Sequence, residues 1–147
     1  MFYESILNLY RKFRLLSYRD IFQAVQEKNG SLSATEAFSA DVINLLHQPT
    51  VTQFADYIGI SQPNATYKVN NLVAKGYIRR VHGGADRREC RLEISDRFVH
   101  YYRENVSGLE KAVGHLREEF SEQELGTAAR VLNRLAENLD SKLKGEK

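Results

Sequence analysis

Among its 147 residues the sequence has one cysteine, two prolines and no run of apolar residues approaching the roughly 18 that a membrane span requires. Each scarcity excludes something. Cys90 alone forms no internal disulfide and rules out a multi-cysteine zinc site, so neither a staple nor a finger is expected to hold the fold. The segment from Met1 to Leu16 fails as a signal peptide, because Arg11, Lys12 and Arg14 interrupt it and no small-residue cleavage site follows. A cytoplasmic chain with no membrane partner is the expectation. No internal repeat, low-complexity tract or Pro/Gly/Ser linker divides the chain, which favours one domain over residues 1–147. Catalytic patterns are missing too: there is no nucleophile beside a base, no carboxylate pair suited to a cleft and no phosphate-cradling glycine loop. His47, His82, His100 and His115 fall one to an element, without metal-ligand spacing. No enzyme, cofactor or metal is expected.

What is present is an ordinary globular composition, 42% hydrophobic and 27% charged, long enough to bury a core without help. Its charge is unevenly spread. Residues 1–60 hold 5 basic and 6 acidic groups, residues 61–100 hold 8 and 4, and residues 101–147 hold 8 and 9, so the formal net charge of +2 conceals a basic middle. A polyanion would be met there, although chance clustering on a solvated face gives the same count.

Helical periodicity opens the chain. Ile6, Tyr10, Phe13, Ser17, Ile21 and Ala24 recur at steps of three and four, and Asn29-Gly30 ends the run. Ser33-Ala-Thr-Glu36 is a capping box that starts a second helix, whose buried stripe is read as Phe38, Val42, Leu45 and Leu46 before Gln48-Pro49 stops it. Thr50 caps a short helix from Val51 to Ile58 with Phe54, Ala55 and Ile58 inward, and Gly59-Ile60-Ser61 is the turn. The next helix runs from Gln62 to about Lys75, with Ala65, Val69, Leu72 and Val73 toward the core and Gly76 closing it.

The period then drops to two. Tyr77 to His82 and Arg88 to Ile94 read as strands joined through Gly83-Gly84-Ala85-Asp86, a hairpin. Beyond it, Val99, Tyr102, Val106, Leu109, Val113, Leu116 and Phe120 form a coiled-coil-like seam. A second capping box, Ser121-Glu-Gln-Glu124, opens a last helix with Leu125, Ala128, Leu132, Leu135, Leu139 and Leu143 on one face.

Two helices joined by a tight turn need a small residue where they cross, a glycine that tolerates positive φ and apolar residues at fixed offsets. Ala55, Gly59 and the set Phe54, Ile58, Ile60, Ala65 and Val69 supply them. With the hairpin, this is a winged helix-turn-helix over residues 33–95. On the second of its helices the core face leaves Gln62, Pro63, Asn64, Thr66, Tyr67 and Lys68 outside, at the end that enters a groove first. Gln62 and Asn64 suit adenine edges, Thr66 a thymine methyl or a phosphate, and Lys68 a phosphate, while Ser61 and the free N-H groups favour a backbone phosphate. A merely solvated polar face is the plainer alternative. Asp86, Arg87 and Arg88 stand at the hairpin tip, where arginine suits a narrow minor groove and the aspartate would hold one guanidinium in position; a turn aspartate beside exposed arginines is the alternative.

The order of elements, together with Thr52-Gln-Phe-Ala55, Gly59, Thr66, Leu72, Gly76-Tyr-Ile-Arg79 and Asp86-Arg-Arg88, resembles the MarR family of bacterial regulators. The resemblance implies a mostly α fold with a small β-hairpin wing. It further implies a homodimer made by residues 1–30 and 96–147, recognition helices in successive major grooves of double-stranded DNA, and wings in the flanking minor grooves. Arg88 would be the minor-groove arginine and Asp86 its orienting partner. Such a protein is expected to be a transcriptional regulator, most often a repressor, released by a small aromatic or phenolic effector. Arg14, Tyr18, His47 and Tyr101 are the candidate effector contacts. Two departures stand out. Ile94-Ser95-Asp96-Arg97-Phe98 replaces the family's leucine-threonine-x-x-glycine, and Tyr67 stands where many members carry a basic or small residue. The competing reading is a winged-helix protein-interaction module that does not bind DNA, since fold alone never fixes function.

Overall fold

The computed structural model describes residues 1–27, 32–83 and 88–144, apart from the side chains of 27 and 100–107. Among these the elements are α1 (Phe2–Glu27), α2 (Ala34–Leu45), α3 (Val51–Ile58), α4 (Gln62–Ala74), β1 (Ile78–His82), β2 (Cys90–Ile94), α5 (Asp96–Glu119) and α6 (Glu122–Leu143). The protein is mostly helical with one antiparallel hairpin, the winged-helix architecture. Two compact units divide the chain, Met1–Asn105 and Val106–Lys147.

The first unit holds the core. Ile21 and Ala24 of α1, Ala37, Ala40 and Ile43 of α2, Phe54 of α3, Leu72 of α4 and Leu92 of β2 all lie inside it. The α2 stripe corrects the expectation, because Phe38 and Leu45 are exposed and Val42 is only half-buried. The large apolar residues lie one position away from the true core face, a rotation of about 100° on a helix. Small Ala37, Ser39 and Ala40 take inner positions beside Ile43, which lets neighbouring elements approach the first turns of α2 closely.

Helix ends follow the caps written into the sequence. Ser33 and Glu36 form the capping box of α2, and Thr50 forms another with Gln53 at the start of α3. After α3, Gly59 adopts φ +72°, the left-handed conformation that glycine reaches without a Cβ penalty. At the end of α4 the Gly76 N-H donates to the Val73 carbonyl and the Tyr77 N-H to the Leu72 carbonyl, both at 3.0 Å. With Gly76 at φ +78° this is a Schellman motif, and Leu72 and Tyr77, the pair it brings together, are both fully buried. Tyr77 therefore belongs to the helix end, and β1 starts one residue later than the alternation implies.

The strands pair from Ile78 opposite Ile94 to His82 opposite Cys90. The linker between α2 and α3 lies along the outer edge of β2, where the Leu92 N-H donates to the Pro49 carbonyl at 2.8 Å and Arg91 Nη1 to the Gln48 carbonyl at 3.0 Å. His47 and Gln48 both have positive φ, at 53° and 58°, a conformation uncommon outside glycine and asparagine. The contacts to β2, with Pro49 buried behind them, hold this linker in place.

In the second unit, Ser121 and Glu124 make the expected capping box at the start of α6. No residue of α6 is buried, and Leu125 and Leu135 are its half-buried apolar side chains.

Candidate nucleic-acid interface

The front of α4 is built from its cap outward. Ser61 is the N-cap and its hydroxyl accepts from the Asn64 N-H at 3.3 Å, while Pro63 occupies the first turn, where a missing N-H costs nothing. Gln62, Pro63, Asn64 and Tyr67 are exposed, Thr66 and Lys68 are half-buried, and Ala65 and Val69 between them are buried. The helix thus shows the polar face expected of it. Thr66 Oγ1 donates back to the Gln62 carbonyl at 3.0 Å, so its hydroxyl is already engaged within the helix.

One pair escaped the sequence reading. Arg80 Nη2 of β1 donates to Asn70 Oδ1 of α4 at 2.7 Å, which sets a guanidinium beside the recognition helix two turns beyond Gln62. Asn70 continues the polar row of Gln62 and Thr66 at the same four-residue step, which was the available signal. Three other basic groups of this segment are neutralised: Lys75 pairs with Glu36 at 2.8 Å, Arg91 with Glu89 at 2.8 Å, and Arg79 with Glu93. Among the described residues Lys68 and Arg80 have no carboxylate at ion-pair distance. The basic middle thus resolves into paired cations and a small unneutralised set near α4.

At the wing, Arg88 is exposed just before β2, while Asp86 and Arg87 lie outside the described residues, and with them the expected aspartate-arginine pair. Cys90 is half-buried opposite His82.

The effector candidates separate. Arg14 and Tyr18 are neighbours on α1: the guanidinium donates to the Tyr18 hydroxyl at 2.7 Å and lies 5.5 Å from the centroid of the Tyr10 ring. The Tyr18 hydrogen bond, aided by Tyr10, raises the Arg14 pKa further, so it stays charged. His47 instead lines a cleft of about 560 Å³ with Ile43, Gln48, Arg79, Glu93 and Asp96, and neither Arg14 nor Tyr18 reaches it. Gln48 Nε2 donates to Glu93 at 2.8 Å across this cleft. The Tyr101 side chain lies outside the described residues. Among the described residues no three histidine, cysteine or acidic side chains are grouped to hold a metal, and no helix is long and apolar enough to cross a membrane.

A capped, polar-faced second helix, a left-handed glycine in the turn before it and a two-stranded hairpin after it define a winged helix-turn-helix. The family model described as the MarR family matches residues 42–89, from α2 to the last residue before β2. Two solved structures are similar along almost the whole chain. FabT of Streptococcus pneumoniae, in complex with DNA, is 23% identical with a TM-score of 0.55, over 95% of this chain and 98% of that one. A MarR-like transcriptional regulator of Thermotoga maritima is 22% identical with a TM-score of 0.53, over 91% and 96%. Among curated proteins nothing matches.

Proposed function

We propose that this protein is a sequence-specific, double-stranded-DNA-binding transcriptional regulator of the cytoplasm that acts as a homodimer and represses from a pseudo-palindromic operator. The observation that carries the reading is the front of α4. There Gln62, Asn64 and Tyr67 stand exposed behind the Ser61 cap, with Arg80 held alongside by Asn70. Amide side chains at that end suit adenine edges, the Thr66 methyl suits thymine, and Lys68 and Arg80 suit phosphates. FabT, similar over nearly the full length, is seen with DNA, which supports the same partner here. Residues 33–95 would read the DNA, with Asp86, Arg87 and Arg88 at the minor groove. Residues 1–30 and 96–147 would join two copies, since α1 and α6 carry apolar faces that one chain leaves in water.

A small aromatic or phenolic effector would act at the His47 cleft, whose volume falls in the range of ligand pockets and whose wall includes the linker that enters the helix-turn-helix. Arg14 and Tyr18 would belong to a separate surface on α1.

The test is selection of bound duplexes from a random pool, followed by affinity measurements for a selected and a scrambled duplex across a salt series. A steep fall of log K with log salt and a clear preference for the selected duplex are expected; a flat line with no preference refutes the reading. Within it, Arg88→Ala weakens binding by about 1–3 kcal/mol if the wing reads the groove.

A further inference from the structure

Arg97 in the first turn of α5 and Ser95 just before that helix hold the far end of α4. Three successive carbonyls beyond α4 accept from them, the last extending the hairpin pairing by one residue. Arg97 Nη1 donates to the Lys75 carbonyl at 3.0 Å, Ser95 Oγ to the Gly76 carbonyl at 2.5 Å, and the Ser95 N-H to the Tyr77 carbonyl at 2.8 Å. The Arg97 guanidinium also lies 4.9 Å from the centroid of the Tyr77 ring, and that ring meets Phe98 edge-on at 6.0 Å. Lys75 is the C-cap of α4, where the helix dipole is negative and a cation is favoured. Its ammonium reaches in turn to both carboxylate oxygens of Glu36 on α2, at 2.8 and 2.9 Å. Phe98, which supplies the edge contact, stands where the family pattern has glycine, so this cluster is not one the resemblance would bring with it.

The lever is long. A helix of the 13 residues of α4 spans about 20 Å, so a tilt of about 5° at its base moves the Gln62 end by about 1.7 Å. Hydrogen bonds tolerate about 0.5 Å. Small changes at Lys75 therefore decide whether amide side chains one helix-length away meet base edges.

We propose that Arg97 is a positioning residue for DNA reading: by clasping Tyr77 and the Lys75 carbonyl it ties α5 to the base of α4 and sets the angle at which Gln62 and Asn64 are presented. The inference rests on the DNA-binding reading above. It makes α5 the element whose movement is felt by the recognition helix, with no contact between Arg97 and DNA.

The test uses the full chain with Arg97→Met, which keeps a stem over Tyr77 but no donor or charge, and Arg97→Lys, which keeps the charge but not the planar fork. Backbone amide exchange is followed at Gly76 and Tyr77, and equilibrium binding is measured for a pool-selected and a scrambled duplex over a salt series. Both variants are expected to exchange about two- to fivefold faster at those two amides, with α3 unchanged as the control for folding. They are expected to lose about two- to fivefold of affinity for the selected duplex, little for the scrambled one, and none of the salt slope. A slope reduced by about one unit makes Arg97 a phosphate contact and overturns the proposal, as does equal loss on both duplexes. Wild-type behaviour of Arg97→Lys overturns it too, since charge alone would then suffice. If the wild type selects no duplex, the DNA-binding reading falls. If the wild type discriminates and Arg97→Met discriminates equally well, the clasp alone falls.

Discussion

Between α3 and β2 most large apolar side chains are inside: Phe54, Leu72, Tyr77 and Leu92 are fully buried, while Tyr57 and Tyr67 are exposed. Along α6 the leucines at the same helical spacing are outside, with Leu132, Leu139 and Leu143 at 45, 53 and 64% exposure. Leu109, Val113 and Leu116 of α5 are likewise exposed, as are Tyr10, Phe13 and Phe22 of α1. Both regions have the periodicity of a buried face, but only one of them closes its core within a single chain. The winged helix closes because α2, α3, α4 and the hairpin, with the end of α1 and Phe98 of α5, surround one cluster. A regular apolar stripe left in water is costly at about 25 cal/mol per Å², and the homodimer proposed above would cover it.

The comparison is broken or sharpened first in the core. Phe54→Ala should cost about 3–5 kcal/mol in urea denaturation, because a fully buried ring leaves a cavity that its neighbours cannot fill. If the loss is below about 1 kcal/mol, the winged helix is not the self-contained unit described. Leu139→Ala is the matching cut on the other side. Half-exposed in a lone chain, this leucine would matter little, whereas buried between two copies its truncation costs about 2–5 kcal/mol. In the second case wild-type stability rises with protein concentration, so melts at two concentrations separate the alternatives. Leu132→Glu gives the same answer more bluntly. Sedimentation at micromolar concentration should show a dimer for the wild type and a monomer for the variant, and a monomeric wild type removes the second copy from the argument.

How much of this was legible in the sequence follows the range of each interaction. Capping boxes at Ser33 and Ser121, the left-handed Gly59 and the change of period after Gly76 are local, and they placed the helix-turn-helix and hairpin within a residue or two. The exposed row from Gln62 to Lys68 was legible by subtraction once the core positions of α4 were known. Phase on α2 was misread because Phe38 and Leu45 outweigh Ala37 and Ala40 in hydrophobicity, while the space available favours small side chains. The Asn70–Arg80 pair and the Arg97 clasp join a helix to a strand and a helix end to the next helix, and a charged residue in either place reads alone as solvated surface. Left-handed His47 and Gln48 give no local sign, since neither is glycine and contacts from β2 hold them there.

The smallest effects set one carboxylate of each unit against the other. On α1, burial raises the Asp20 pKa, with Arg19 opposing and Asp41 adding to the shift. Stabilisation from its protonated form is present below the ordinary carboxylate range and is lost as pH rises through the raised value. On α6, Glu124 is fully exposed, and hydrogen bonds from the Ser121 N-H and hydroxyl lower its pKa. Its contribution is present above the ordinary range and is lost as pH falls through the lowered value. Asp20→Asn stays neutral throughout, so its melting temperature should gain on the wild type as pH rises from acid toward neutral. Glu124→Gln keeps an N3 side chain that can close the capping box without a charge, so its deficit should be small and should vanish toward low pH. Melting curves across the acidic range check both signs. Parallel pH profiles for wild type and Asp20→Asn would show that the α1 carboxylate is solvated, and that this part of α1 does not belong to the closed core.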